Sequence, residues 1–410
     1  MKSHTKGKLA ALKELKKAYL QQMFPQEGES VPRLRFEGFD EPWEKRQLND
    51  VLTESRIPGS SGLEAKKLTV KLWGKGIVPK ETIYEGSANT NYFVRRSGQV
   101  MYGKLDFLNA AFGIVPDDLD GYESTIDAPA FDVNSDADSK FLIETFLQES
   151  FYEFQGNLAN GSRRAKRINQ DDFLNMSINL PNYKEQIAIG NFFDILDTLI
   201  ELHQRKLGLL VRLKAAYLQQ MLVKCSENNG LLIDNAEKAI TGEVLKYKDE
   251  NVPRVRFENF DESWKTCKLG YISDIVAGGD IDNSKLLKRG LYPVIANALT
   301  NDGIVGYYDD EFRIKAPAVT VTGRGDVGHA IARKNDFTPV VRLLSIKSNL
   351  DADFLANVIN RLDIFVESTG VPQLTSPQIS EYKISFPNIR EQTDIGSFFR
   401  NLDDLIKIYS

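Results

Sequence analysis

Between residues 182 and 223 the apolar positions Phe192, Ile195, Leu199, Leu202, Leu209 and Leu213 fall at three- and four-residue steps, flanked by Leu196, Ile200, Leu210 and Tyr217. Such a wide stripe is that of a helix packed against another helix, with Lys206 as its one polar interruption. Asn182 followed three residues on by Glu185, just after Pro181, is a capping-box variant that marks the start. At about 1.5 Å per residue, a helix from Asn182 to about Val223 is roughly 60 Å long. That exceeds the core of one compact domain, so the spacing predicts a helical partner of the same kind.

The chain holds one candidate partner, in two pieces. Pro181 to Ile200 recurs as Pro387 to Ile406, with the cap repeated at Asn388 and Glu391, and this copy stops at Ser410, which aligns with Gln204. The continuation of the central copy, Lys206 to Met221, recurs at the other terminus as Lys8 to Met23, both ending Ala-Tyr-Leu-Gln-Gln-Met. A third block, Val31 to Trp43, returns as Val252 to Trp264. Read as a circle, the chain contains two copies of one unit, the mark of whole duplicated modules. The expectation is that the two pieces abut and line the central helix as an antiparallel pair. Phe192, Leu196, Leu199, Leu209 and Leu213 would then pack against Phe398, Leu402, Leu405, Leu12, Leu15 and Tyr19. The alternative is a truncated second copy, with the basic N-terminal helix (Lys13, Lys16, Lys17) as a solvated cap.

Two segments of mixed α/β character lie between the helices. Strand-like runs are Gln99–Tyr102, Phe112–Val115, Ala318–Thr322 and Val340–Ile346, with helices expected over Ser139–Phe154 and Ala352–Val366. Pro116–Gly121 and Asn301–Gly303 read as turns. The segments match in length and plan but hardly in sequence. The fold class is therefore α/β: two α/β domains separated by an antiparallel pair of long helices, a coiled coil, with a pseudo-twofold internal repeat. The divisions are 1–30 (part of the second helix), 31–180 (first head), 181–223 (central helix), 224–251 (polar linker), 252–386 (second head) and 387–410 (the rest of the second helix).

Composition narrows the chemistry. A 410-residue chain with 42% hydrophobic and 27% charged residues is ordinary for a globular protein, and no apolar run reaches membrane-span length. A cytoplasmic location without a membrane partner is the default reading. Two cysteines, Cys225 and Cys267, and three histidines supply neither a disulfide framework nor a zinc cluster. Gly98–Lys104 has most of a phosphate-binding loop, but Leu105 replaces the hydroxyl residue and Val100, Met101 and Tyr102 are strand-like. Gly323-Arg-Gly-Asp-Val-Gly328 follows a strand, yet another strand arrives too soon for a dinucleotide fold, so a tight hairpin projecting Arg324 is expected. No catalytic residues and no metal ligands are assigned.

Candidates for nucleic-acid contact are Lys104, the basic run Arg163, Arg164, Lys166 and Arg167, and in the second head Asn297, Arg324 and Gln373, side chains of the types that pair with base edges. The net charge of −5 argues mildly against strong binding overall, so local clustering must decide.

The repeated Pro-Arg-x-Arg-Phe block at Val31 and Val252, the Pro-x-x-x-Glu-Gln helix start at Pro181 and Pro387, and the Ala-Tyr-Leu-Gln-Gln-Met helix end together resemble the specificity subunits of type I restriction-modification enzymes, with a circularly permuted helix order. The head segments around Gly98–Phe107, Tyr292–Ile295 and Gly303–Tyr308 are similar to strands of that family's target-recognition domains. The resemblance implies a non-catalytic subunit whose two heads read a bipartite, asymmetric target on double-stranded DNA. It implies two methyltransferase subunits and restriction subunits as partners, with S-adenosylmethionine, ATP and Mg on those partners and no cofactor on this chain. The other readings are a coiled-coil adaptor with protein-binding heads and a fragment of a fused restriction-methyltransferase enzyme.

Overall fold

A computed structural model describes residues 7–26, 28–81, 90–158, 167–223, 252–365 and 371–410. The chain divides into two compact units, Met1–Gln204 and Arg205–Ser410. Since Gln204 is the residue with which Ser410 aligns, each unit carries every repeated block once, in the same order.

The first unit opens with α1 (Lys8–Met23) and continues through β1 (Glu44–Gln47), β2 (Leu52–Ser55), β3 (Pro58–Ser61), β4 (Leu68–Val70), β5 (Ile77–Pro79) and β6 (Asn91–Val94). Next come β7 (Val100–Tyr102), β8 (Phe112–Ile114), β9 (Glu123–Ser124), β10 (Ala130–Val133), α2 (Ser139–Phe146), α3 (Glu149–Leu158), α4 (Gln170–Leu174), β11 (Ser177–Leu180) and the start of α5 (Tyr183–Met221). The second unit takes the rest of α5, then β12 (Lys265–Lys268), β13 (Ser273–Ala277), β14 (Tyr292–Ile295), β15 (Ile304–Tyr308), β16 (Ala318–Thr322) and β17 (Ala330–Arg333). It closes with β18 (Thr338–Pro339), β19 (Leu343–Ser348), α6 (Ala352–Ile359), α7 (Ser376–Ser380), β20 (Lys383–Phe386) and α8 (Ile389–Tyr409).

The two heads share a topology that their sequences hide. The main antiparallel sheet has the order β2-β10-β7-β8 in one and β13-β19-β16-β17 in the other. In each head the chain enters and leaves through a two-stranded antiparallel ribbon, β1 with β11 (Glu44 opposite Leu180) and β12 with β20 (Lys265 opposite Phe386). Every residue of β7 and β16 is buried, as expected of strands covered on both faces. Around them the first core is aromatic (Tyr102, Phe107, Phe131, Phe173) and the second aliphatic (Val319, Val321, Leu344, Ile346).

Three expected boundaries shift. The strand expected from Val340 starts at Leu343, because Arg342 sits at φ +74° and turns the chain. The helix expected over Ser139–Phe154 is two helices, α2 and α3. The helix α6 stops at Ile359, where the Asn360 side chain turns aside to pair with the backbone of Ala330 on β17 (2.7 and 2.9 Å).

Within each unit, two scaffold helices run antiparallel. In the first, Tyr19 of α1 meets Phe192 of α5 edge to face at 5.0 Å and Lys16 reaches Asp197 at 2.7 Å. In the second, Tyr217 of α5 meets Phe398 of α8 at 5.0 Å and Lys214 reaches Asp403 at 2.5 Å. Numbers fall along one helix as they rise along the other.

The expected apolar row is only partly covered. Leu196 and Leu402 are buried, and Leu12, Tyr19, Phe192 and Phe398 are half-buried. Leu15, Leu199, Leu209, Leu213 and Leu405 are exposed, at 42, 37, 58, 42 and 41%. A stripe that wide exceeds what one partner helix covers, so its outer edge stays open.

The repeated motifs acquire a physical reason. Asn182 and Asn388 accept from the backbone N–H of Glu185 and Glu391 (3.0 and 3.1 Å), as the capping motif requires. The two glutamates do not fold back to the cap. Each is taken by the second arginine of the Pro-Arg-x-Arg-Phe block: Arg35 holds Glu185 and Arg256 holds Glu391 through paired N–H···O bonds of 2.7–2.9 Å. The neighbouring Phe36 and Phe257 pack on Phe192 and Phe398, and Trp43 and Trp264 pack on Phe141 and Phe354. The Pro-x-x-x-Glu-Gln glutamines, Gln186 and Gln392, donate to the carbonyls of Pro181 and Pro387 and accept from the N–H of Asp138 and Asp351. One side chain thus ties the helix start to the head.

Candidate nucleic-acid interface

The shared topology makes β7 and β16 equivalent central strands, and each leads directly into a glycine and a basic residue: Gly103-Lys104 and Gly323-Arg324. Two sequence motifs with unrelated surroundings therefore occupy one structural position. Each basic residue is also held from the same later part of its head. Ile168 N–H donates to the Lys104 carbonyl at 3.2 Å, while Arg324 pairs with Gln373 in an antiparallel bridge and Leu374 N–H donates to Gly323 at 2.8 Å.

In the second head the three expected residues come together. Gly323–Gly328 is the tight hairpin joining β16 to β17, with Gly325 at φ +75° and Gly328 at φ +86°, backbone that favours glycine. A Cβ on Gly323 would lie 2.4 Å from the Arg342 carbonyl, so the strand exit needs its bare backbone. Arg324 is half-buried and Gln373 exposed. Asn297 has a different part. Its Oδ1 accepts from the N–H groups of Gly323 (2.7 Å) and Arg324 (3.3 Å), and its Nδ2 donates to the Arg324 carbonyl (2.8 Å). Through these bonds Asn297 positions the hairpin. Beside it opens a cleft of about 370 Å³ lined by Gly323, Arg342, Gln373, Thr375 and Ser376. Arg342 carries no motif, since nothing local announces a left-handed arginine.

In the first head Lys104 is buried, and burial lowers its pKa against the opposing pull of Asp127 and Glu54. Around it stand Arg56, bonded to Glu54 (2.8 Å), and Arg167, 3.6 Å from Asp127. Gln170 donates to Glu54 at 3.0 Å. The surface is thus a lattice of alternating charges instead of a bare basic patch, with Arg56 and Arg167 exposed at its rim. Arg56, Glu54 and Gln170 belong to no sequence motif; only folding brings them beside Lys104. Arg163, Arg164 and Lys166 lie outside the described residues.

Among the described residues no cluster of three or more His, Cys, Asp or Glu side chains is placed to hold a metal ion, and no helix is long and apolar enough to cross a membrane. In the second head Arg324, beside backbone amides and an open cleft, and in the first head the exposed Arg56 and Arg167 can make charge-assisted hydrogen bonds to phosphates or base edges.

Residues 261–410 match the family model described as the type I restriction modification DNA specificity domain. Two putative type I specificity subunits of Mycoplasma pneumoniae are similar to the chain. One is 29% identical over 155 residues, 36% of this chain and 42% of its own, and the other 28% over 163 residues, 37% and 48%. The chain thus spans less than half the length of these relatives. The crystal structure of a type I restriction-modification system S subunit from M. genitalium superposes with a TM-score of 0.57, at 14% identity, over 91% of this chain and 92% of that one. At that identity the likeness is one of fold.

Proposed function

We propose that the chain is a specificity subunit of a type I restriction-modification system, the family whose model matches residues 261–410, and that its two heads each read one half of a bipartite target on double-stranded DNA. One observation carries the proposal: Lys104 and Arg324 stand at the same exit of the same central strand in heads that otherwise share little sequence. A common fold presenting different side chains at one point is what reading two different half-sites requires. Arg324 with Gln373 and Arg342 would contact base edges or phosphates in the second half-site, and Lys104 with Arg56 and Arg167 in the first. Arg163, Arg164 and Lys166 would add phosphate contacts.

Catalysis is assigned to partners. The exposed leucines of the scaffold helices would dock two methyltransferase subunits, with restriction subunits joining the larger assembly and S-adenosylmethionine, ATP and Mg bound there. The setting is the cytoplasm, where the DNA is.

The test is binding of the purified chain, with its methyltransferase partner, to random duplexes and to duplexes carrying the target found by mapping methylated adenines in cells with and without the gene. Salt-dependent binding to both, with tighter binding to one bipartite sequence, is expected. Equal affinity for all sequences, or adenine methylation by the isolated chain given S-adenosylmethionine, would overturn the reading.

A further inference from the structure

The first helix behind each sheet sits on its scaffold helix in the same manner in both units. Asp138 caps α2 and Asp351 caps α6, and the cap N–H donates to Gln186 or Gln392 at 3.0 Å in each case. Gly190 and Gly396 make the close approach possible: a Cβ there would stand 2.5 or 2.4 Å from the cap carboxylate. The repeats therefore align these seats residue by residue, Lys140 with Asp353, Asp194 with Arg400 and Asn191 with Ser397.

At that aligned position the charges are reversed. In the first unit the head supplies the cation, as Lys140 Nζ donates to Asp194 (2.8 Å) and to Asn191 (3.3 Å). In the second the scaffold supplies it, as Arg400 donates to Asp353 (2.7 Å) and to Ser397 (3.2 Å). One turn further on, Glu144 of α2 bonds Lys16 of its scaffold, whereas the aligned Asn357 of α6 bonds its own helix and leaves Lys214 to Asp403. The features common to both seats set the geometry and cannot tell the heads apart. The reversed pair can.

We propose that the seat is a discriminating docking surface: the Asp194 seat accepts a head helix that presents a cation, and the Arg400 seat one that presents a carboxylate. A head offered to the other unit's seat, by transposition within a chain or by exchange between two copies, meets its own sign. Like charges so placed weaken docking without blocking it, which biases assembly toward the correct pairing.

The proposal is tested in the full chain by substitutions that leave net charge unchanged. The scaffold exchange D194R/R400D sets Lys140 against an arginine and Asp353 against an aspartate, and the head exchange K140D/D353K does the same from the other side. Each is expected to lower the thermal midpoint by about 2–4 °C at low salt, with the loss shrinking in about 1 M salt. All four substitutions together are expected to recover most of it; recovery in the second unit is smaller because Lys334, 3.1 Å from Asp353, would then face a lysine. A chain with residues 44–180 and 265–386 transposed is expected to be stabilised by D194R/R400D. Midpoints unchanged in the paired variants, or a fourfold variant no better than either pair, would overturn the proposal, and these readings decide it even if the transposed chain does not fold.

Discussion

Arg35 grips the buried carboxylate of Glu185 through two hydrogen bonds of 2.9 and 2.7 Å, joining a connector to the start of a helix 150 residues away. The Glu185 side chain is 1% exposed and the arginine 10%, and the bond to Glu185 raises the arginine's pKa. Arg256 and Glu391 repeat the grip. Removing one partner strands a buried charge, so E185Q and R35M are each expected to destabilise the first unit by about 3–5 kcal/mol, and R35M/E185L by much less. Denaturant unfolding of the three variants checks this; equal losses for single and double variants would contradict it.

Glu144 lies under α1, with one carboxylate oxygen bonded to Lys16 and the other buried without a partner. Burial pushes its pKa up from 4.5 to about 7, against the pull of Lys16 and with Asp197 adding to the rise. A carboxyl whose folded pKa is raised contributes stability in full below its unfolded value and loses it as the pH climbs through the folded value. The first unit should lose on the order of 3 kcal/mol between about pH 4.5 and pH 8 from this group. E144Q should flatten that slope and be the more stable form at the upper end. Thermal melts across the range decide; parallel slopes for parent and E144Q would exclude the effect.

Leu196 and Leu402 are buried, while Leu199, Leu209 and Leu405 are exposed. Aspartate at the first two should cost about 3 kcal/mol or more. At the other three, stability should shift by no more than about 0.5 kcal/mol, with methyltransferase binding weakened instead. Melting curves beside pull-down with the methyltransferase subunit separate the two classes, and intact complex formation by all three exposed-site variants would argue against docking on this face.

Asn297 organises the hairpin that carries Arg324. R324A should lose about 1–3 kcal/mol of discrimination at one position of the second half-site. N297A should blur the same position without changing binding to random DNA. Competition binding with single-base target variants reads both, and loss of random-DNA binding in R324A alone would reassign the residue to a phosphate.

The scaffold was largely legible because its signals are local. Asparagine caps, three-four spacing and recurring helix-start and helix-end motifs each act within a turn or two of helix, and α5 begins within a residue of the expected start. The long-range use of the same residues was not legible: Glu185 looked like half of a capping box, and Leu209 like a packing residue, until the partner surfaces were in place.

By itself, then, the amino-acid order determined that there are two modules, where the scaffold helices lie and where a few of the central strands run, since periodicity and turn chemistry are properties of neighbouring residues. Tertiary structure alone decided that Lys104 and Arg324 are counterparts, that Asn297 holds the hairpin carrying Arg324, and that in two equivalent seats the cation comes from the head in one, Lys140, and from the scaffold in the other, Arg400. Sheet topology and ion pairs join residues tens to hundreds of positions apart, and diverged sequence can preserve that geometry while leaving no local trace of it.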